Sequence, residues 1–283
     1  MKNQKLKDLL VRTLSGAVML VLVVGALLWS KWSAGALFAV LMLGGLVEFY
    51  RLCQKRGASP MYVIGVVTSV AIFSMAFAIF EKWGAPTSDM TARVVLGAML
   101  YIMLIVPTTF VVELWRKKPT PIANIATTFM GVVYVAMPMA MLLFVPQLLI
   151  GRWCPWIMLA FISIIWLNDV FAYLVGVSIG KHRLCERISP KKSWEGFFGG
   201  LIGAVGVSVL YGHLFGGDLI VWGGLGLVTA LASVAGDLVE SLMKREAEVK
   251  DSGSIMPGHG GFLDRFDALY MAVPFVIVYL IIM

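Results

Sequence analysis

The sequence predicts an all-α polytopic membrane protein of about nine transmembrane helices with its N-terminus in the cytoplasm. Three observations carry that fold class. Of the 283 residues, 60% are hydrophobic and only 14% are charged, against about 25% charged in a soluble domain. The apolar residues come in runs of roughly 20, the length a helix needs to cross a bilayer. The runs are continuous rather than alternating, and lipid leaves no partner for free backbone groups, so helices are expected instead of a barrel.

In order, the runs place spans at 13–30, 33–50, 61–80, 94–114, 124–148, 156–178, 196–216, 219–243 and 266–283. The first follows a basic stretch, Lys2 to Arg12. It lacks a small-residue cleavage site before Trp29-Ser30-Lys31-Trp32, so it reads as a retained span rather than a signal peptide. The fifth has no charge from 119 to 151 but contains Pro119, Pro121, Pro138 and Pro146. Trp29, Trp32, Trp83, Trp115, Trp153 and Trp194 stand near span ends, where interfacial anchors belong.

Orientation follows from lysine and arginine. With the N-terminus inside, 19 of the 23 basic residues fall on cytoplasmic segments, and only Lys31, Lys82, Arg93 and Arg152 fall outside. An even number of spans would scramble that separation. The net charge of +7 therefore reads as topology and attraction to anionic membrane lipid, and nothing points to nucleic acid. Cys53, Cys154 and Cys185 show no disulfide or metal spacing.

Two regions differ in content: an N-terminal transmembrane region, 1–150, and a C-terminal transmembrane catalytic region, 151–283, whose site faces the cytosol. The first carries one conspicuous acid, Glu48. The second carries Asn168, Asp169, Tyr173, a polar loop at 181–195, Asp237, Glu240 and the stretch 250–269. An ionisable group inside a span costs about 3 kcal/mol on insertion scales and is a functional hypothesis by default.

Asp237, Glu240, Ser241 and Lys244 stand at i, i+3, i+4 and i+7, one stripe of a helix. Two carboxylates beside a lysine suit a divalent cation next to a polyanion; a carboxylate–lysine network knitting two spans fits the same stripe. Gly253, Gly258, Gly260 and Gly261 allow backbone N–H groups to converge on an anion. Asp264 and Asp267 follow, with Arg265 between them, and His259 precedes them as a lone histidine. Lys191 and Lys192 are either topological charges or phosphate contacts. Together with Lys244, Arg245 and Lys250 they suggest metal-assisted transfer between polyanions, in which neutralisation and alignment do the catalysis. No Walker motif, GxGxxG in a suitable context, or nucleophile–histidine arrangement competes.

The run SLMKREAEVKDSGSIMPGHGGFLDRFD, 241–267, resembles the signature of phosphatidate cytidylyltransferases, the CDP-diacylglycerol synthases. LNDVFAYLVG at 167–176 and ISPKKSWEG at 188–196 add to the likeness, which in the N-terminal half is limited to hydropathy and the EFY at 48–50. Met256 and Ser193 depart mildly from the family pattern. The resemblance implies CTP and phosphatidate as substrates, CDP-diacylglycerol and pyrophosphate as products, and Mg²⁺ held by Asp237 and Asp264. The carboxylate spacing on the two helices offers Glu240 and Asp267 as further ligands. A second, monovalent cation is an additional expectation. It further implies a homodimer, and an integral protein of the bacterial inner membrane. Asp237, Asp264, Lys244, Arg245 and Lys250 are the expected catalytic residues, the last three as cations that meet the substrate phosphates. Asp169, Lys191, Lys192, Ser241, His259, Gly260, Gly261 and Arg265 are the expected substrate contacts. Rival readings are a CTP-dependent polyprenol or phytol kinase, an archaeal-lipid cytidylyltransferase, and an ion-coupled transporter. A transporter would place its acids at mid-bilayer in both halves.

Overall fold

The computed structural model describes residues 2–82, 88–253, 255 and 260–283, with side chains described from 13 onward in the first helix and from 96 onward in the fourth. Helix dominates throughout. Eight described helices are long and apolar enough to cross a membrane, and a shorter apolar helix, Thr13–Trp29, precedes them. The protein is thus a polytopic all-α membrane protein. The chain divides into two compact units, Met1–Phe144 with Glu246–Asp264, and Val145–Arg245 with Arg265–Met283.

The first unit opens with α1 (Lys2–Trp29) and α2 (Lys31–Lys55). Only Ser30 separates them: its hydroxyl accepts the Ser33 N–H while Ser33 returns the bond, a capping box that starts α2 at once. Then come α3 (Tyr62–Glu81), α4 (Ser88–Arg116) and α5 (Pro121–Gly131). Tyr50, fully buried, donates to the Thr128 carbonyl at 2.7 Å, tying α2 to α5.

The span expected at 124–148 is one continuous helix only in part. After α5 the chain widens into a π-helical turn, Val132–Ala136, continues as α6 (Met137–Leu142), and restarts as α7 (Val145–Ile150). Pro138 and Pro146 explain both breaks, since each lacks the N–H that an unbroken helix needs and its ring crowds the preceding turn.

The second unit contains α7, α8 (Pro155–Ile179), α9 (Trp194–Phe215), most of α10 (Leu219–Glu246) and most of α11 (Leu263–Ile282). Its helices approach through small residues, the usual solution where lipid removes any hydrophobic reward for association. A Cβ on Gly200 would lie 2.8 Å from the Asn168 carbonyl, so α9 sits directly on α8. Ser208 Oγ donates to the Trp222 carbonyl at 2.5 Å between α9 and α10. The polar loop expected at 181–195 is instead an antiparallel hairpin, β1 (Arg183–Cys185) and β2 (Ser189–Ser193), with a bulge between Arg183 and Cys185. Ser193 ends β2 and caps α9 through the Gly196 N–H at 3.2 Å, so the hairpin and the helix start as one piece.

Candidate functional site

In the second unit the acids of α10 meet α11. Gly236 makes this possible: a Cβ there would lie 2.7 Å from the Asp267 carbonyl and 3.1 Å from Ala268 Cα, so any side chain would hold the two helices apart. With none in the way, carboxylate oxygens of Asp237, Glu240 and Asp267 lie within 4.8 Å of one another. Glu240 is fully buried and Asp267 is nearly so.

Three carboxylates this close repel one another, and cations answer them. Lys244 Nζ lies 2.5 Å from Glu240 Oε2, one turn along the same helix. Lys192, at the end of β2, forms an ion pair with Asp237. Ser241 Oγ donates to Asp237 Oδ1 at 3.3 Å. The expected stripe 237–240–241–244 is therefore present as one face, and the hairpin brings one lysine of the 191–192 pair to it.

A cavity of about 720 Å³ adjoins this cluster, lined by Asp237, Asp169, Tyr173, Arg183, Lys191 and Lys192 among others. Its wall is mixed: cations from the hairpin, carboxylates from α8 and α10, and the apolar faces of Val177, Phe197 and Val234. Arg183 and Tyr173 join it although the sequence assigned neither a ligand. The basic hairpin sequence was the available signal, and the strand pairing that aims it was not. Glu195 steadies the hairpin by accepting from His182 Nδ1 at 2.7 Å. Arg245 and Arg265 are exposed.

The donor set fits a hard divalent cation. Three carboxylate sources within a few ångströms, with no thiol or imidazole among them, is the ligand chemistry of Mg²⁺ or Ca²⁺ rather than of a softer metal.

Asp264 belongs to the first unit. Its Oδ2 accepts from Ser252 N and Ser252 Oγ, each at 2.9 Å, and from Gly261 N at 2.8 Å. Gly260 has φ +84, the left-handed region, and a Cβ there would stand 2.6 Å from that same oxygen. Glycine is required on both counts. The converging N–H groups foreseen for this loop thus meet a carboxylate of the loop itself. Lys250 is exposed. His259 lies outside the described residues.

The family model of the Cytidylyltransferase family matches residues 10–283. The phosphatidate cytidylyltransferase of Haemophilus influenzae is 46% identical over 118 residues, covering 40% of this chain and 41% of that protein. That of Staphylococcus aureus (strain COL) is 46% identical over 128 residues, covering 44% and 49%. That of Bacillus subtilis is 47% identical over 115 residues, covering 40% and 42%. The chain thus spans about half the length, or less, of these curated relatives in the matched stretches.

Proposed function

Because the chain belongs to the Cytidylyltransferase family, we propose that it transfers CMP from CTP to phosphatidate, giving CDP-diacylglycerol and pyrophosphate. The carrying observation is the cluster of Asp237, Glu240 and Asp267, with Lys192 bridging it to the basic wall of the cavity. The names of the bacterial relatives support phosphatidate as the acceptor.

In this reading Asp237, Glu240 and Asp267 hold Mg²⁺, and Asp264 is assigned to the same ion on the strength of the HGGxxDR motif. When bound, the cation would withdraw charge from phosphate oxygens. Lys191, Lys192 and Arg183 bind the triphosphate and offset the repulsion between two anionic substrates. Lys244, Arg245 and Lys250 serve the phosphates in the same way, and Arg265, Ser241, Gly260, Gly261 and His259 are further contacts. A phosphatidate oxygen attacks the α-phosphorus of CTP, forming one P–O bond. The bond to the β-phosphate breaks, and its electron pair leaves with pyrophosphate. No residue need act as general base, because a phosphate monoester has its second pKa near about 6 and is largely ionised at neutral pH. Asp169 and Tyr173, at the exposed rim of the cavity, orient the incoming substrate.

We further propose a homodimer in the bacterial inner membrane, with 151–283 as the catalytic region and the cavity open to the cytoplasm. The test is direct. Purified protein with phosphatidate and labelled CTP should yield a lipid-linked CMP in the presence of Mg²⁺ and none in its absence. Labelled phosphate on a polyprenol, or no product at all, would refute the assignment.

A further inference from the structure

The first unit buries a carboxylate that the proposed reaction does not use. Glu48, on α2, has no exposed surface. Its Oε2 accepts from the Leu263 N–H at 2.8 Å and from Ser252 Oγ at 3.2 Å. Leu263 is the first residue of α11, so this N–H is one of the donors a helix leaves unsatisfied at its start. The helix dipole also favours an anion there.

Two glycines make room for this group. A Cβ on Gly253 or on Gly261 would collide with the Glu48 carboxylate, and the Phe262 ring lies against Gly44, one turn earlier on α2. One hydroxyl links Glu48 to Asp264: Ser252 Oγ has a single proton and stands within bonding distance of both Glu48 Oε2 and Asp264 Oδ2. Packing alone would place leucine at 48. A carboxylate whose hydrogen bonds here come from neutral donors is expensive to bury. Among the described residues, moreover, its Oε1 has no hydrogen-bond partner. Such a group is kept for what it holds.

We propose that Glu48 is a positioning residue: it ties Ser252 to the start of α11 at Leu263 and thereby sets the direction of the Asp264 carboxylate. The consequence for turnover rests on the reading of Asp264 above; the clamp itself does not.

Two measurements on the full chain separate these. Hydrogen exchange reads the clamp, and steady-state kinetics with a Mg²⁺ titration read its consequence. Glu48→Ala should raise exchange at Ser252, Gly261 and Leu263 at least tenfold while α8 and α9 stay protected. It should also lower kcat at least tenfold and raise the Mg²⁺ needed for half-maximal rate. Glu48→Gln keeps an oxygen acceptor for the Leu263 N–H and should restore most of both. Unchanged loop exchange in Glu48→Ala, or Glu48→Gln as damaging as alanine, would overturn the proposal. If Glu48→Ala loses protection throughout, Ser252→Ala decides, since it cuts the shared hydroxyl without touching α2. Faster exchange confined to the loop upholds the clamp, and none refutes it. A loosened loop with full activity would uphold the clamp and refute the role given to Asp264.

Discussion

Lys192 pairs with Asp237 across two elements, the end of a β-hairpin and the C-terminal half of α10. Both also line the same cavity. A lysine retained only by the topology of its loop would have no reason to enter the wall of a cavity and neutralise an acid there. The pair joins the basic hairpin to the acidic cluster. Lys192→Ala should therefore reduce kcat/KM for CTP by roughly 10- to 100-fold, equivalent to the loss of one charge-assisted hydrogen bond of about 1.5–3 kcal/mol. Thermal stability in detergent should change little, because the pair is partly exposed. An unaltered rate would return the lysine to topology alone.

The carboxylates should behave as a unit. Asp237→Asn and Asp264→Asn are each expected to abolish nearly all activity, and the double variant to be little worse than either, the pattern of groups that act together. Glu240→Gln and Asp267→Asn should raise the Mg²⁺ concentration required. His259→Ala should do less damage than any of these. A titration of rate against Mg²⁺ checks all six variants, and an additive double variant would count against a shared ion.

Gly236 sets the spacing of α10 and α11. Gly236→Val should separate the helices, cost about 1–3 kcal/mol by overpacking, and disperse the three carboxylates. Activity is expected to fall more steeply than the melting temperature. If activity survives in a valine variant of lowered stability, the cluster does not depend on this approach.

Topology can be read by labelling single cysteines. Cysteines at the exposed positions Lys191 and Lys250 should react with an impermeant reagent from the cytoplasmic side, and one beside Trp83 from the opposite side, as the 19-to-4 basic asymmetry requires. Reaction of Lys250→Cys from outside would reverse both the orientation and the cytosolic placing of the cavity.

Much was legible without coordinates, because bilayer physics is one-dimensional. Length and continuity of apolar runs mark each helix, and every expected span has its helical counterpart. The stripe Asp237, Glu240, Ser241, Lys244 was also legible, since residues three and four apart on a helix must share a face. Prolines 138 and 146 were visible, but their effect was not. Whether a proline kinks a span or divides it depends on neighbours that re-satisfy the freed carbonyls, and here a π-helical turn and a new helix resulted.

What only the tertiary structure decided is which side chains from distant segments share one volume. The sequence by itself determined the membrane class, the polar C-terminal region and the acids and bases available for chemistry. It offered Asp267 as a ligand beside Asp237 and Glu240, but not the approach of the two helices that brings them together, which depends on a missing Cβ at Gly236. Nor could it show that Lys192 reaches Asp237, because a hairpin's register aims it. Glu48 is the clearest case: along the chain it is one acid at the end of an apolar run, yet folded it accepts the first N–H of α11. Periodicity is a local property of the backbone and can be read from spacing. The meeting of residues two hundred positions apart depends on how helices pack, and no spacing encodes it.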